Sequence, residues 1–246
     1  MPRTDLSLAE DTNLLIRKLN SFVSLSNVDR KMLDRISTET RSIAPRMELV
    51  REGDKPASVL LITEGIACRH KHRACGTRQI IAFLLPGDLC DLDAALVDRI
   101  DHTITTVTAC RVADITHQTM ADLLGSNPAV ALALRMSTLV DRAITHEWLV
   151  NVSSRSAVKR IAHLICELFV RFKAVGLVTH QSYMLPLTQT DLAHTMGLST
   201  VHTNRSLQEL RRRGLITLKG KQLTVLDVSK LRAIAEFDPT YLYLKA

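Results

Sequence analysis

Two stretches of the chain carry residue types that do chemistry. "CRHKHRAC" holds Cys68, His70, His72 and Cys75, ligand types for zinc or another transition metal and, through the thiols, for redox chemistry. Strand alternation sets Cys68, His70 and His72 on one face and Arg69, Lys71 and Arg73 on the other. Three basic neighbours oppose a divalent cation, and Cys75 precedes Gly76, where a hairpin turn is expected. An ordinary hairpin without bound metal is therefore the expectation, with a metal- or thiol-responsive site as the alternative. The second stretch, "STVHTNRSLQELRRRGLI" (199–216), places small polar side chains ahead of three arginines and stops at a glycine. That order suits a helix whose first turns meet the base edges of a nucleic acid, with cations favoured at its C-terminal end.

The elements around the second stretch decide its meaning. Thr188, with Asp191 three residues on, has the capping-box spacing that starts a helix. Leu192, Ala193 and Met196 supply its buried side, Gly197 ends it, Ser199 caps a second helix to Arg213, and Gly214 terminates that one. Two short helices around a tight glycine turn form a helix-turn-helix, whose second helix enters a DNA major groove N-terminal residues foremost. Thr200, Val201, His202 and Arg205 then lie near base edges. Thr188, Gln189, Ser199 and Asn204 complete the expected contacts, with Gln189, Ser199 and Asn204 placed for phosphates. Burial is the competing role for Val201, and simple solvation for Arg211–Arg213. "LITLKGKQLTVLD" follows as a hairpin tipped by Lys219 and Lys221, a wing against the DNA backbone or else a solvated turn.

Charge agrees with that reading. Of the net +7, residues 153–246 carry 14 Lys and Arg against 6 Asp and Glu, while residues 1–152 carry 18 against 19. One part of the chain is built to meet a polyanion and the other is not.

Ahead of the basic part lies a helical stretch opening at Pro128. Ala129, Met136, Ala143 and Val150 lie seven apart, with Leu132, Leu139 and His146 three residues after the first three. This is an a/d seam for pairing with a second copy; docking on the chain's own β domain is the alternative. "NVSSRS" should break the seam, a hinge at 151–155, before a helix resumes over 156–172. From about Thr40 to Thr116, short alternating runs between turn signals predict a small barrel or roll. Two short lid helices precede it, one carrying Leu14, Leu15, Leu19 and Phe22, the other capped by Asn27.

The five scattered cysteines fit reduced thiols rather than a disulfide framework. The longest apolar run, Ile80–Pro86, is far short of a membrane span, so a soluble cytoplasmic protein is expected, with no membrane partner. No glycine-rich phosphate loop, nucleophile elbow or paired zinc motif occurs, and no enzyme is expected.

"LPLTQTDLAHTMGLSTVHTNRSLQELRRRGLI" strongly resembles the winged helix of the Crp/Fnr superfamily, dimeric bacterial transcription regulators. The resemblance extends along nearly the whole chain: "RQIIAFLLPGD" and "TACRVADI" look like the family's β-roll, and "NPAVALALRMSTLVDRAITHEWL" like its dimer helix. It implies an α+β fold: a cyclic-nucleotide-binding-like β-roll (1–126), a dimerisation helix and hinge (127–152) and a winged helix-turn-helix (153–246). It also implies double-stranded DNA and RNA polymerase as partners, with two recognition helices meeting a palindrome.

Departures from the family narrow the mechanism. Val201 stands where many members carry a Glu, so base preference there should differ, while the family Arg matches Arg205. "CDLDA" (90–94) and "RIDHT" (99–103) replace the pattern of cyclic-nucleotide binders; aspartates repel a phosphate, Arg99 is the only displaced cation, and cyclic AMP is not expected. The oxygen-sensing branch holds an iron-sulfur cluster on four cysteines, three near the N-terminus. This chain has none before Cys68, so no cluster is expected. The effector is unidentified or absent. A nucleotide-binding regulatory subunit acting on a partner protein remains the runner-up, although it has no use for an exposed Arg205.

Overall fold

The computed structural model describes residues 12–74 and 76–245. Helices α1 (Leu14–Asn20) and α2 (Asn27–Thr38) lead into strands β1 (Thr40–Ile43), β2 (Glu48–Val50), β3 (Val59–Glu64), β4 (Ala67–His72), β5 (Arg78–Leu84), β6 (Leu89–Cys90), β7 (Thr103–Thr106) and β8 (Cys110–Ile115). These form two antiparallel four-stranded sheets, ordered β1-β8-β3-β6 and β2-β7-β4-β5. The inner faces meet in a core of Leu60, Ile62, Leu84, Ile104 and Val112, all buried. The cap of α2 is Ser26, not Asn27: Ser26 Oγ accepts from the Asp29 amide while Asp29 accepts from the Ser26 amide, a full capping box that puts Asn27 inside the helix.

After α3 (His117–Ser126) comes the 27-residue α4 (Pro128–Ser154). Its buried residues, among them Val130, Leu134, Val140, Ile144 and Trp148, dock on the same protomer. None of the seam residues is buried: Leu132, Leu139, His146 and Val150 are exposed, and Met136 and Ala143 half-buried. Docking on the protomer's own β domain is therefore the packing seen, and the seam residues lie away from that buried face. The expected break at 151–155 comes later, because α4 runs unbroken through Ser154. Asn151 is buried, its amide donating to Arg160 O and Met196 Sδ, and Ser153 and Ser154 donate back to Val150 O. The Asn151 amide nitrogen and the two serine hydroxyls thus find partners without breaking the helix, while the buried Asn151 Oδ1 has none. The connection is only Arg155 and Ser156, both extended, before α5 (Ala157–Ala174).

The C-terminal part holds β9 (Ser182–Met184), α6 (Gln189–Met196), α7 (Thr200–Arg212), β10 (Ile216–Lys219), β11 (Gln222–Val225) and α8 (Val228–Ala235). A large core joins it to the roll: Phe83 packs edge-on against Trp148 at 5.9 Å, and Trp148 Nε1 donates to the buried Glu167, which also accepts from Tyr241 and Arg171. The chain then returns to its start, where the Lys245 amide donates to Ser21 O and Arg17 to Val175 O. The three segments read from the sequence are consequently bound together at both ends.

Candidate DNA-binding surface

α6 and α7 form the expected helix-turn-helix. Thr188 Oγ1 accepts from the Asp191 amide at 3.0 Å and donates to Asp191 Oδ2 at 2.7 Å, so its hydroxyl is occupied in starting α6. Gly197 closes that helix at φ +61°, a left-handed conformation that glycine takes without a Cβ penalty. Ser199 Oγ accepts from the His202 amide and caps α7. On α7, Thr203, Ser206, Leu207 and Leu210 turn inward at helical spacing.

That spacing points the opposite face outward. Thr200, Val201, His202, Arg205 and Gln208 are all exposed, and no ion pair holds Arg205 among the described residues. Val201 is 57% exposed, which removes burial as its role. Asn204 is half-buried and donates to Gln189 Oε1 at 3.1 Å; the two expected phosphate contacts thus brace α6 against α7. Arg212 and Arg213 both pair with Glu209, while Arg211 stays exposed. β10 pairs with β11 and β11 with β9, and Lys219 and Lys221 stand exposed at the hairpin tip beside Gly220 at φ +59°. The expected hairpin is therefore formed, with its cations at the far end.

A surface of this kind needs a fixed position, and here the roll supplies it. Asp191 is 1% exposed and receives a bidentate pair from Arg46, both distances 2.9 Å, and a further bond from Arg78 at 2.7 Å. Burial opposes ionisation of Asp191, but the bonds from Arg46 and Thr188 hold the carboxyl well below the usual range. Sequence reasoning named Asp191 only as a cap. Arg46 and Arg78 stand 145 and 113 residues away and gave no local signal.

A cavity of about 410 Å³ opens between the roll and α4, lined by Arg69, Asp91, Arg99, His102, Asp141 and Arg142 among others. His102 bridges Asp101 (Nδ1, 2.8 Å) and Asp91 (Nε2, 3.0 Å), Arg69 donates to Asp91 at 2.8 Å, and Lys71 to Asp101 at 3.0 Å. Burial works against Asp91, yet His102 and Arg69 keep its carboxyl below the ordinary value. The His102 bond and then Lys71 bring Asp101 to about 2. These charges satisfy one another. Arg99, the displaced cation read from the sequence, does line this cavity.

In "CRHKHRAC", Cys68 and His70 are buried and His72 is exposed; Cys75 lies outside the described residues. His70 Nε2 meets Thr105 Oγ1 at 2.8 Å. Burial pushes the Cys68 thiol up to about 11, which opposes the thiolate a redox sensor needs. Among the described residues no three His, Cys, Asp or Glu side chains are grouped to hold a metal ion, and no single helix is long and apolar enough to cross a membrane.

A β-roll with a ligand-sized cavity, a long helix with a free apolar stripe and a winged helix-turn-helix with an open reading face together define a DNA-binding regulator. Comparison with known proteins agrees. Residues 40–127 match the cyclic nucleotide-binding domain and 159–234 the Crp-like helix-turn-helix domain. The fumarate and nitrate reduction regulatory protein of Vibrio cholerae is 26% identical over 214 residues, 86% of this chain and 84% of that protein. The transcriptional activator protein anr of Pseudomonas aeruginosa is 26% identical over 215 residues, 87% of each. The solved structure of FixK2 from Bradyrhizobium japonicum superposes with a TM-score of 0.71 at 21% identity, covering 80% of this chain and 96% of that one. The chain belongs to the Crp/Fnr superfamily and is a DNA-binding transcription regulator of that type.

Proposed function

We propose that this regulator acts as a homodimer on a palindromic operator, in the cytoplasm, and alters transcription by recruiting or obstructing RNA polymerase. The observation that carries the reading is the outward face of α7, where Thr200, Val201, His202 and Arg205 are all exposed and Arg205 has no carboxylate partner among the described residues. Core packing gives no reason for a guanidinium there; a guanine O6/N7 edge does.

Pairing along Leu132, Met136, Leu139, Ala143, His146 and Val150 would cover the exposed stripe of α4. It would also set two α7 helices to enter successive major grooves, about 34 Å apart. Thr188, Gln189, Ser199 and Asn204 organise the two helices more than they reach outward, and Lys219 and Lys221 take the backbone. The cavity over the roll is the place for an effector if one is used. Asp91 and Asp101 are held by Arg69, His102 and Lys71, and Arg69 and His102 are thereby engaged, while the carboxylates of Asp93 and Asp141 also line the space, which supports the view that cyclic AMP is not the ligand. The cysteine positions support a regulator without a four-cysteine cluster, and nothing in the sequence motifs supports an enzyme.

Selection of random duplex DNA by the purified, ligand-free protein at near-physiological salt tests the reading. Enrichment of a two-fold palindrome is expected. Enrichment of an unpaired half-site would refute the dimer, and no enrichment with or without candidate small molecules would refute the operator.

A further inference from the structure

The side of the roll facing the winged domain carries polar contacts that DNA contact does not explain. Arg46 sits in the turn between β1 and β2, directly after Pro45, at φ +65°. Position i+2 of such a turn ordinarily belongs to glycine, because a Cβ is unfavourable in the left-handed region. The turn is nonetheless held firmly: the Arg46 amide donates to Thr106 O, the Met47 amide to Thr106 Oγ1, and that hydroxyl donates to Ala44 O. An unfavourable residue thus occupies an over-determined turn, and its guanidinium makes the fork-to-fork pair with Asp191.

β5 grips the rest of the same helix. Arg78 donates to Asp191 at 2.7 Å and its Nε to His194 Nδ1 at 3.4 Å, and Gln79 Nε2 donates to Thr195 O at 3.2 Å. α6 is therefore held near its first turn and near its last. Asp191 is also the capping-box residue of α6, and α6 is braced to α7 through Gln189 and Asn204. Orientation set at Asp191 passes directly to the reading helix. The reading face itself is uncovered, with Val201, His202 and Arg205 exposed, so the contact does not mask DNA binding.

We propose that Arg46 and Arg78 are positioning residues for operator recognition: they clamp α6 to the roll and hold α7 at the angle and spacing that two half-sites demand. Without the clamp, the winged domain keeps its apolar core with the roll and the Arg171 contacts, but α6 and α7 lose their direct polar tie to the roll, and fixing their angle again opposes binding to a palindrome. The clamp also borders the cavity network. Gln79 lies directly opposite Lys71 across β4 and β5, and Lys71 pairs with Asp101 on the cavity's rim. A ligand that disturbed the Asp101 pairing would act one strand away from α6.

The proposal rests on the palindromic reading above, and its test separates the two. Full-length wild type, Arg46→Gly, Arg46→Lys and Arg78→Gln are titrated onto the selected palindrome, onto the same palindrome with one or two base pairs inserted between half-sites, and onto random duplex. Glycine suits the turn at φ +65°, so Arg46→Gly removes the clamp while favouring the local backbone. Arg46→Gly should bind the matched operator about tenfold more weakly, lose much of the penalty for inserted base pairs, and bind random duplex as wild type does. Arg46→Lys keeps charge without the fork and should fall between. Arg78→Gln should behave like Arg46→Gly and serves should the glycine variant not melt cooperatively. Variants with wild-type affinity and spacing preference overturn the clamp, as does tighter operator binding, which would make the docked arrangement a resting one. A wild type indifferent to spacing overturns the dimeric reading, and the clamp with it.

Discussion

Replacing Leu132 and Leu139 together by alanine tests whether the free stripe of α4 is an interface. Leu132 is 52% and Leu139 46% exposed in the protomer. Fully burying a leucine contributes about 1.5–3 kcal/mol, so covering the remaining half of each contributes about 1 kcal/mol. Two-fold symmetry makes each substitution count twice. Four half-covered side chains, less the Cβ that alanine keeps, come to roughly 3 kcal/mol, or about a hundredfold in the dimer dissociation constant. Sedimentation equilibrium over a wide concentration range measures that constant, and thermal melting of the monomer checks the fold. Ile144→Ala is the control on the opposite face: it is buried within the protomer, and should lower folding stability by about 2–5 kcal/mol while leaving the dimer constant alone. An unchanged dimer constant in the double variant, or an equal effect from Ile144→Ala, would refute the assignment of the two faces.

Three further outcomes follow from single sites. Arg205→Ala should cost about 1–3 kcal/mol on the selected operator and much less on random duplex; equal losses on both would make Arg205 a phosphate contact. Cys68 and Cys166, pushed by burial up to about 11 and about 12, and Cys90 and Cys110, raised in the same direction, should resist iodoacetamide at neutral pH in the folded protein and react in denaturant. Peptide mass spectrometry reads this, and rapid native labelling at any of the four contradicts the burial. His70 is pushed down to about 4, chiefly by burial and then by the nearby Arg78. The unfolded chain takes up that proton first, so the His70 contribution is intact above about pH 6.5 and is lost as pH falls from there toward 4. His70→Gln should lessen the fall of the thermal midpoint between pH 7.5 and 5.5, the remainder belonging in part to His163, which burial pushes down to about 3; an equally steep loss in the variant would place the titration elsewhere.

Much of the reading surface was legible because it is built from local rules. Thr188 with Asp191, Gly197, Ser199 and Gly214 are start and stop signals acting within a few residues, and all five occupy the ends expected of them. That Leu132, Leu139, His146 and Val150 share one exposed face of α4 was legible for the same reason, since heptad spacing states which residues lie together. Where the local rule had a competitor, it failed. Asn151, Ser153 and Ser154 read as a helix breaker, but Arg160 and Met196 take the Asn151 amide nitrogen, Val150 takes the two serine hydroxyls, and the helix continues. Asn27 yielded to Ser26 because the Asp29 carboxylate lies three residues after Ser26, and only that pairing closes the box.

What only the tertiary structure decided is where charges meet. Arg46, Arg78 and Asp191 are ordinary polar residues in sequence, and Asp101, His102 and Asp91 read as a gap in a binding pattern. Folding makes the first group a grip on α6 and the second a closed network lining a cavity. Helix caps and face periodicity depend on neighbours that the chain supplies within one or two turns, so composition and spacing determine them. The ion pairs depend on separate strands, loops and helices arriving side by side, 113 and 145 residues apart in the chain for those on Asp191, and no periodicity encodes that arrival.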